Sequence, residues 1–258
     1  MFTDAKSYNN IAVHYLSVTR KSTVIIMSPE FYSDCRQYQS EKWLTSYYVV
    51  DDRVDFVLTS FNRDFSDPYE VARDMASLVK ELKKQYDKVV IMGRSKGGAI
   101  NIAMLKFLDD SDYNMMLNVA VPYEGTILAM PDEIWKRSKF FYFLHRLEFD
   151  GGLADVMIEE NSAFLKGLDY AQISPYKFIN FTAQLGRESF VHDWTIFDLK
   201  GLGCFYVDWV LNLKGDGIVP FSSQATPQIQ GFKTVTLCAS HQSAHKVAIK
   251  YFLDYYDR

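Results

Sequence analysis

Residues 91–99 read IMGRSKGGA, and within them Gly93-Arg94-Ser95-Lys96-Gly97 satisfies G-x-S-x-G. The pattern belongs to a serine held on a sharp strand-to-helix turn, where flanking glycines avoid the clash a Cβ would cause. The same glycines would also serve a turn that only lets a helix pack closely on a strand, so the pattern alone leaves both readings open. A serine hydroxyl is a weak nucleophile at neutral pH; it needs a base, and the base needs a group to orient it. His241, in CASHQSAH, and Asp216, in KGDGIVP, are the candidates for these parts. Asp216 by itself reads equally well as a D-G turn residue, with Asp193, Asp198 and Asp208 as other acids. The chain order serine, acid, histidine differs from the two triad orders that place the serine last.

The remaining histidines are weaker candidates. His245 follows His241 by four residues, which is the H-x-x-x-H spacing of a metal pair. No acid lies between them and no third ligand is evident, so neither a metal nor another cofactor is expected. His245 falls in the first turn of a helical pattern, whereas His241 falls in the loop before it. His14, His145 and His192 read as surface or satisfied core residues. Arg94 and Lys96 flank the serine and read as solvated charges on the outer side of the turn.

These residues need elements to carry them, and the chain alternates strand and helix patterns. STVIIM (22–27), VDFVLTS (54–60), KVVIM (88–92) and MMLNVAV (115–121) are apolar runs of the kind buried in parallel sheets. From Asp67, the positions Val71, Met75, Leu78, Val79 and Leu82 trace one helix face. Asp67-Pro68 supplies an N-cap with proline at the first helical position. Residues 97–108 form a second helix pattern, apolar nearly all round. KFINFTA (177–183), GCFYVDWVLNL (203–213) and FKTVTLCAS (232–240) are further strand candidates, and SAHKVAIKYFLDYYDR closes with a helix that Ser243 would cap. The rhythm predicts an α/β fold with a mainly parallel central sheet and helices on both faces. Residues 127–172 break it as a helical insertion over the C-terminal edge of the sheet, where such folds place their sites. Its aromatic stretch FFYFLHRLEF suits a lid over an acyl pocket and ordinary helical packing equally.

Bulk properties narrow the function classes. The 258 residues are 48% hydrophobic and 23% charged, with a formal net charge of -4. This is a globular composition with no basic field to attract nucleic acid. No run approaches 18 consecutive apolar residues, and MFTDAKSYNN has neither half of a secretory signal. Three cysteines, Cys35, Cys204 and Cys238, cannot all pair within the chain and read as buried free thiols. Together these features predict a cytoplasmic protein of one domain. Oligomeric state is not legible.

Four more stretches carry a family resemblance. VAVPYEGT (119–126) is similar to the strand and P-H-x-G-[ST] turn that follows the nucleophile in many lipases. NSAFLKGLD (161–169) resembles the segment that ends their lid, GDGIVPFSSQ (215–224) their acid loop, and SHQSAHKVAIKYFL their histidine loop and closing helix. The chain thus resembles an α/β-hydrolase-fold serine hydrolase of the lipase and esterase branch, over about residues 88–254. The resemblance implies Ser95 as nucleophile, His241 as general base and acid, and Asp216 as the group orienting the imidazole. It implies the Lys96 backbone N–H as one oxyanion donor. Where lipases carry H-G for the second, this chain has Met27-Ser28-Pro29-Glu30-Phe31. Proline has no N–H, so Glu30 or Phe31 would supply it. The implied substrate is a small-molecule ester with a lipophilic acyl group. A thioesterase, acyltransferase or amidase on the same triad, or a binding protein that keeps only the fold, are the alternatives.

Overall fold

The computed structural model describes residues 8–17, 22–29, 53–61, 67–126, 129, 158–185, 214–241 and 243–255. Among them, seven strands form one sheet: β1 Ile11–Ser17, β2 Thr23–Met27, β3 Asp55–Phe61, β4 Lys88–Arg94, β5 Met115–Val119, β6 Phe178–Gln184 and β7 Lys233–Cys238. Their spatial order is β1-β3-β2-β4-β5-β6-β7. β1 runs antiparallel to β3, and the other strands pair in parallel.

The apolar runs form strands because both sheet faces are covered, and the side chains of each strand alternate between two cores. Val24 and Ile26 of β2, with Val89 and Ile91 of β4, enter one core beneath α1, Pro68–Lys83, and α2, Lys96–Met104. Ile25 and Met27, with Val90 and Met92, enter the other beneath α5, Ala244–Tyr255. α1 starts as its sequence predicts: the Asp67 carboxylate accepts from the Tyr69 N–H at 2.8 Å, and Pro68 occupies the first turn. Val71, Met75, Leu78, Val79 and Leu82 are all buried, and each large side chain so covered stabilises by roughly 1.5–3 kcal/mol. Every residue of α2 is buried, as its all-round apolar pattern requires. A 3-10 turn, Leu105–Phe107, extends it.

The predicted strands 22–27, 54–60, 88–92, 115–121, 177–183 and 232–240 are observed with small shifts at their ends. β1 is an addition. The strand candidate 203–213 and most of the expected insertion, 127–128 and 130–157, lie outside the described residues. The end of that insertion contains the short helix α3, Ala163–Lys166, capped by the Ser162 hydroxyl. No described helix is long and apolar enough to cross a membrane. Cys238 corrects an expectation: it is a free thiol but exposed, because β7 is the last described strand of the sheet. Cys35 and Cys204 lie outside the described residues.

Candidate active site

β4 ends at Arg94, and the chain enters α2 at Lys96. Ser95 between them has φ 53° and ψ -129°, a conformation L residues avoid; such a residue costs about 1–3 kcal/mol and persists only where its surroundings enforce it. Here the Ser95 N–H donates to the Val119 carbonyl of β5 at 2.9 Å, and the Gly98 N–H returns to the Ser95 carbonyl at 3.0 Å. A Cβ at Gly93 would lie 2.5 Å from the backbone of Gly97 and Gly98, so only glycine lets the turn close. Ser95 occupies the N-cap position, yet its hydroxyl makes no capping bond to the helix. Serine at that place normally bonds the second or third helical N–H, so this hydroxyl is left for another partner. Lys96 supplies the first N–H of α2, and the first N–H groups of a helix have no acceptor within it.

The acid loop is anchored at the end of β6. The chain leaves at Leu185, whose N–H donates to the carbonyl of Gly215 at 2.8 Å. Asp216 is fully buried. Its Oδ1 accepts from the N–H groups of Ile218 at 2.9 Å and Val219 at 2.7 Å. Gly217, at φ 94°, makes this tight turn possible. Asp216 is therefore a turn residue through Oδ1, which leaves Oδ2 for a further partner. Its Oδ2 lies 2.7 Å from Nδ1 of His241. A carboxylate only accepts, so Nδ1 is the donor in this contact. The His241 N–H also donates to the Asp216 carbonyl at 2.9 Å. Backbone and ring are both held by one residue.

His241 follows β7, yet its carbonyl accepts from Nη1 of Arg94 at 3.2 Å. The histidine loop thus bends back over β6 and β5 to reach the residue before Ser95. The structure therefore groups the histidine loop with both the acid loop and the serine turn. Two expectations are corrected here. Arg94 is 7% exposed and Lys96 3%, so neither is a solvated charge. The Arg94 guanidinium lies behind the histidine loop, and the Lys96 ammonium sits 4.5 Å from the centre of the Phe61 ring. Glu30 and Phe31 lie outside the described residues, as do Asp193, Asp198, Asp208, His145 and His192. Ser28 and Pro29 pass close to α2, their carbonyls 3.0 and 3.2 Å from where a Cβ on Gly97 would be. Among the described residues, no three histidines, cysteines or carboxylates group as a metal site.

Sequence reasoning missed a buried polar chain beneath these loops. Nδ2 of Asn118 donates to the Tyr123 hydroxyl at 3.1 Å, which donates to Asn180 Oδ1 at 3.1 Å. Asn180 donates to the Gln224 carbonyl at 3.0 Å. Gln224, at the end of α4, Phe221–Gln224, accepts from the Ala183 N–H and donates to the Ala183 and Val219 carbonyls. It pins the acid loop to β6. Burial holds the Tyr123 phenol far above its ordinary pKa. The only sequence trace was position: Tyr123 replaces the lipase histidine in PYEGT, and Gln224 closes PFSSQ. A cavity of about 630 Å³ opens beside this chain, lined by Tyr123, Glu124, Leu165, Tyr170 and Ser222 among others. Burial, aided by Glu124, pushes Tyr170 up to about 12, so it stays a neutral hydroxyl there. Ser95, Asp216 and His241 do not line this cavity.

No family model matches the chain, and no curated protein matches it. Solved structures do. The mature form of the lipase BlEst2 from Bacillus licheniformis superposes with a TM-score of 0.60 at 16% identity, covering 91% of each chain. A lipase-esterase related protein from Clostridium acetobutylicum gives 0.53 at 13% identity, covering 93% of this chain and 98% of its own. A proline iminopeptidase-related protein from Thermus thermophilus gives 0.53 at 10%, covering 98% and 96%.

Proposed function

The chain has the α/β-hydrolase fold, and from that premise we propose that it is a serine hydrolase cleaving carboxylic esters through an acyl-enzyme on Ser95. The observation that carries this reading is the buried 2.7 Å pair between His241 Nδ1 and Asp216 Oδ2, on a loop tied to the residue before a strained serine. His241 Nε2 takes the Ser95 proton as the oxygen attacks the carbonyl, and Asp216 stabilises the imidazolium that forms. The negative oxygen is stabilised by the Lys96 N–H and by a second N–H assigned to Glu30 or Phe31. His241 returns its proton to the departing alcohol, then activates water to release the acid. A cap at 127–172 accepting a lipophilic acyl group belongs to the same proposal, as do a single domain and a cytoplasmic setting, which an unpaired Cys238 fits.

The likeness to a peptidase-related structure favours one other reading, amide cleavage by the same residues. A fluorophosphonate probe tests the shared chemistry. It should modify Ser95 in the wild-type protein and nothing in Ser95→Ala, with hydrolysis of p-nitrophenyl esters falling about 10⁶-fold. Equal labelling of both proteins removes the proposal. Faster turnover of aminoacyl anilides than of esters would replace ester by amide as the substrate.

A further inference from the structure

Among the described residues, Arg94 is the buried guanidinium at this site, and the ester chemistry above does not use it. It sits at the last residue of β4, 7% exposed. Burying a cation is costly unless its donors find acceptors. One nitrogen, Nη1, finds two: the His241 carbonyl at 3.2 Å and Nδ1 of His245 at 3.2 Å. Arginine only donates, so His245 Nδ1 presents its lone pair. His245, buried in the first turn of α5, is held as the neutral tautomer with its proton on Nε2. The second histidine of H-x-x-x-H thus holds an arginine in place.

The two grips on His241 differ. Asp216 takes its N–H and its ring, which sets the tautomer and ring plane. Arg94 takes its carbonyl, and Arg94 is covalently next to Ser95. The Asp216 grip would survive if the histidine and acid loops moved together away from β4; the Arg94 grip would not. We propose that Arg94 is a positioning residue that fixes the separation of His241 from Ser95, with His245 as the acceptor that aims its guanidinium. This rests on His241 being the base for Ser95.

Arg94→Met should leave the His241–Asp216 pair in place and lower kcat about 100-fold, the cost of a displacement near 1 Å. KM should stay unchanged, and labelling of Ser95 should slow in parallel. Arg94→Lys should recover part of the loss. His245→Leu should lower kcat in the same direction, while His245→Asn, whose Oδ1 offers an acceptor near Nδ1, should recover most of it. These His245 variants carry the test if Arg94→Met does not fold. A folded Arg94→Met with wild-type kcat and labelling overturns the proposal, as does His245→Asn performing no better than His245→Leu. Imidazole ¹⁵N NMR separates this failure from that of the hydrolase reading. His245 should be the neutral Nε2–H tautomer in the wild type and lose that fixed state in Arg94→Met, whether or not Ser95 takes the probe. A His245 tautomer indifferent to Arg94 overturns the clamp by itself.

Discussion

The serine turn after β4 and the acid loop after β6 lie at the same edge of one sheet and are held in opposite ways. At the turn, the backbone keeps its shape because side chains are missing. Gly93 leaves room for Gly97 and Gly98 at distances no Cβ tolerates. In the acid loop the shape depends on side chains that are present: Asp216 caps two N–H groups, and Gln224 ties Val219 to β6. A turn defined by sterics should fail when atoms are added. A loop defined by hydrogen bonds should fail when donors and acceptors are swapped at constant volume.

The largest effect should come from Asp216→Asn, which changes no shape. The amide oxygen can still cap Ile218 and Val219, but its NH₂ then faces His241 Nδ1–H, donor against donor. The ring must move its proton to Nε2, where the base needs a lone pair. We expect kcat to fall about 10⁴-fold with urea unfolding almost unchanged; a retained kcat would break the comparison at the acid loop. Gly93→Ala should break the turn instead. Its Cβ would meet backbone at 2.5 Å, and urea titration should show a loss of about 3 kcal/mol. Gly231→Ala, in open space, should stay within about 0.5 kcal/mol. Equal costs for the two glycines would mean that the turn is not sterically set.

Smaller effects sharpen the contrast. Gln224→Leu keeps volume but strands the Ala183 N–H and the Val219 carbonyl, so a loss of about 1–3 kcal/mol is expected. Tyr123 gives the loop a pH response that the turn lacks. Burial raises its pKa in the folded protein above 10.0. Above that pH the unfolded chain releases a proton that the folded chain keeps, so stability falls as pH rises past about 10. Tyr123→Phe should flatten that alkaline slope in urea titrations between pH 9 and about 11.

The same contrast explains what the sequence could reveal. Glycines forced by sterics leave a local sign, so the turn at 93–97 was legible, and strands buried on both faces read as plain apolar runs. Asp216 and His241 stand out in the sequence by their order and lipase-like surroundings, and the structure pairs them. The roles of Gln224, Tyr123 and Asn180 depend on atoms 40 or more residues away in the chain, and nothing local records that. Arg94 was misread for a related reason. A charged residue defaults to solvent until the fold places two acceptors in front of it. β1 is hard to read because it lies at the edge of the described sheet, and among its described side chains the buried sign is Ile11 and Val13.

The backbone angle of Ser95 has a consequence for the order of assembly. Its N–H is held by Val119, a β5 residue 24 positions later in the chain. Until β5 docks beside β4, nothing compensates the strain, and an isolated strand-turn-helix relaxes out of it. β5 pairing is a long-range parallel contact, the slow kind to form. During refolding, helical circular dichroism should therefore return before Ser95 can be labelled. The strained Ser95 turn is a late product of the fold, and under the proposed chemistry its labelling would report that β5 has docked beside β4.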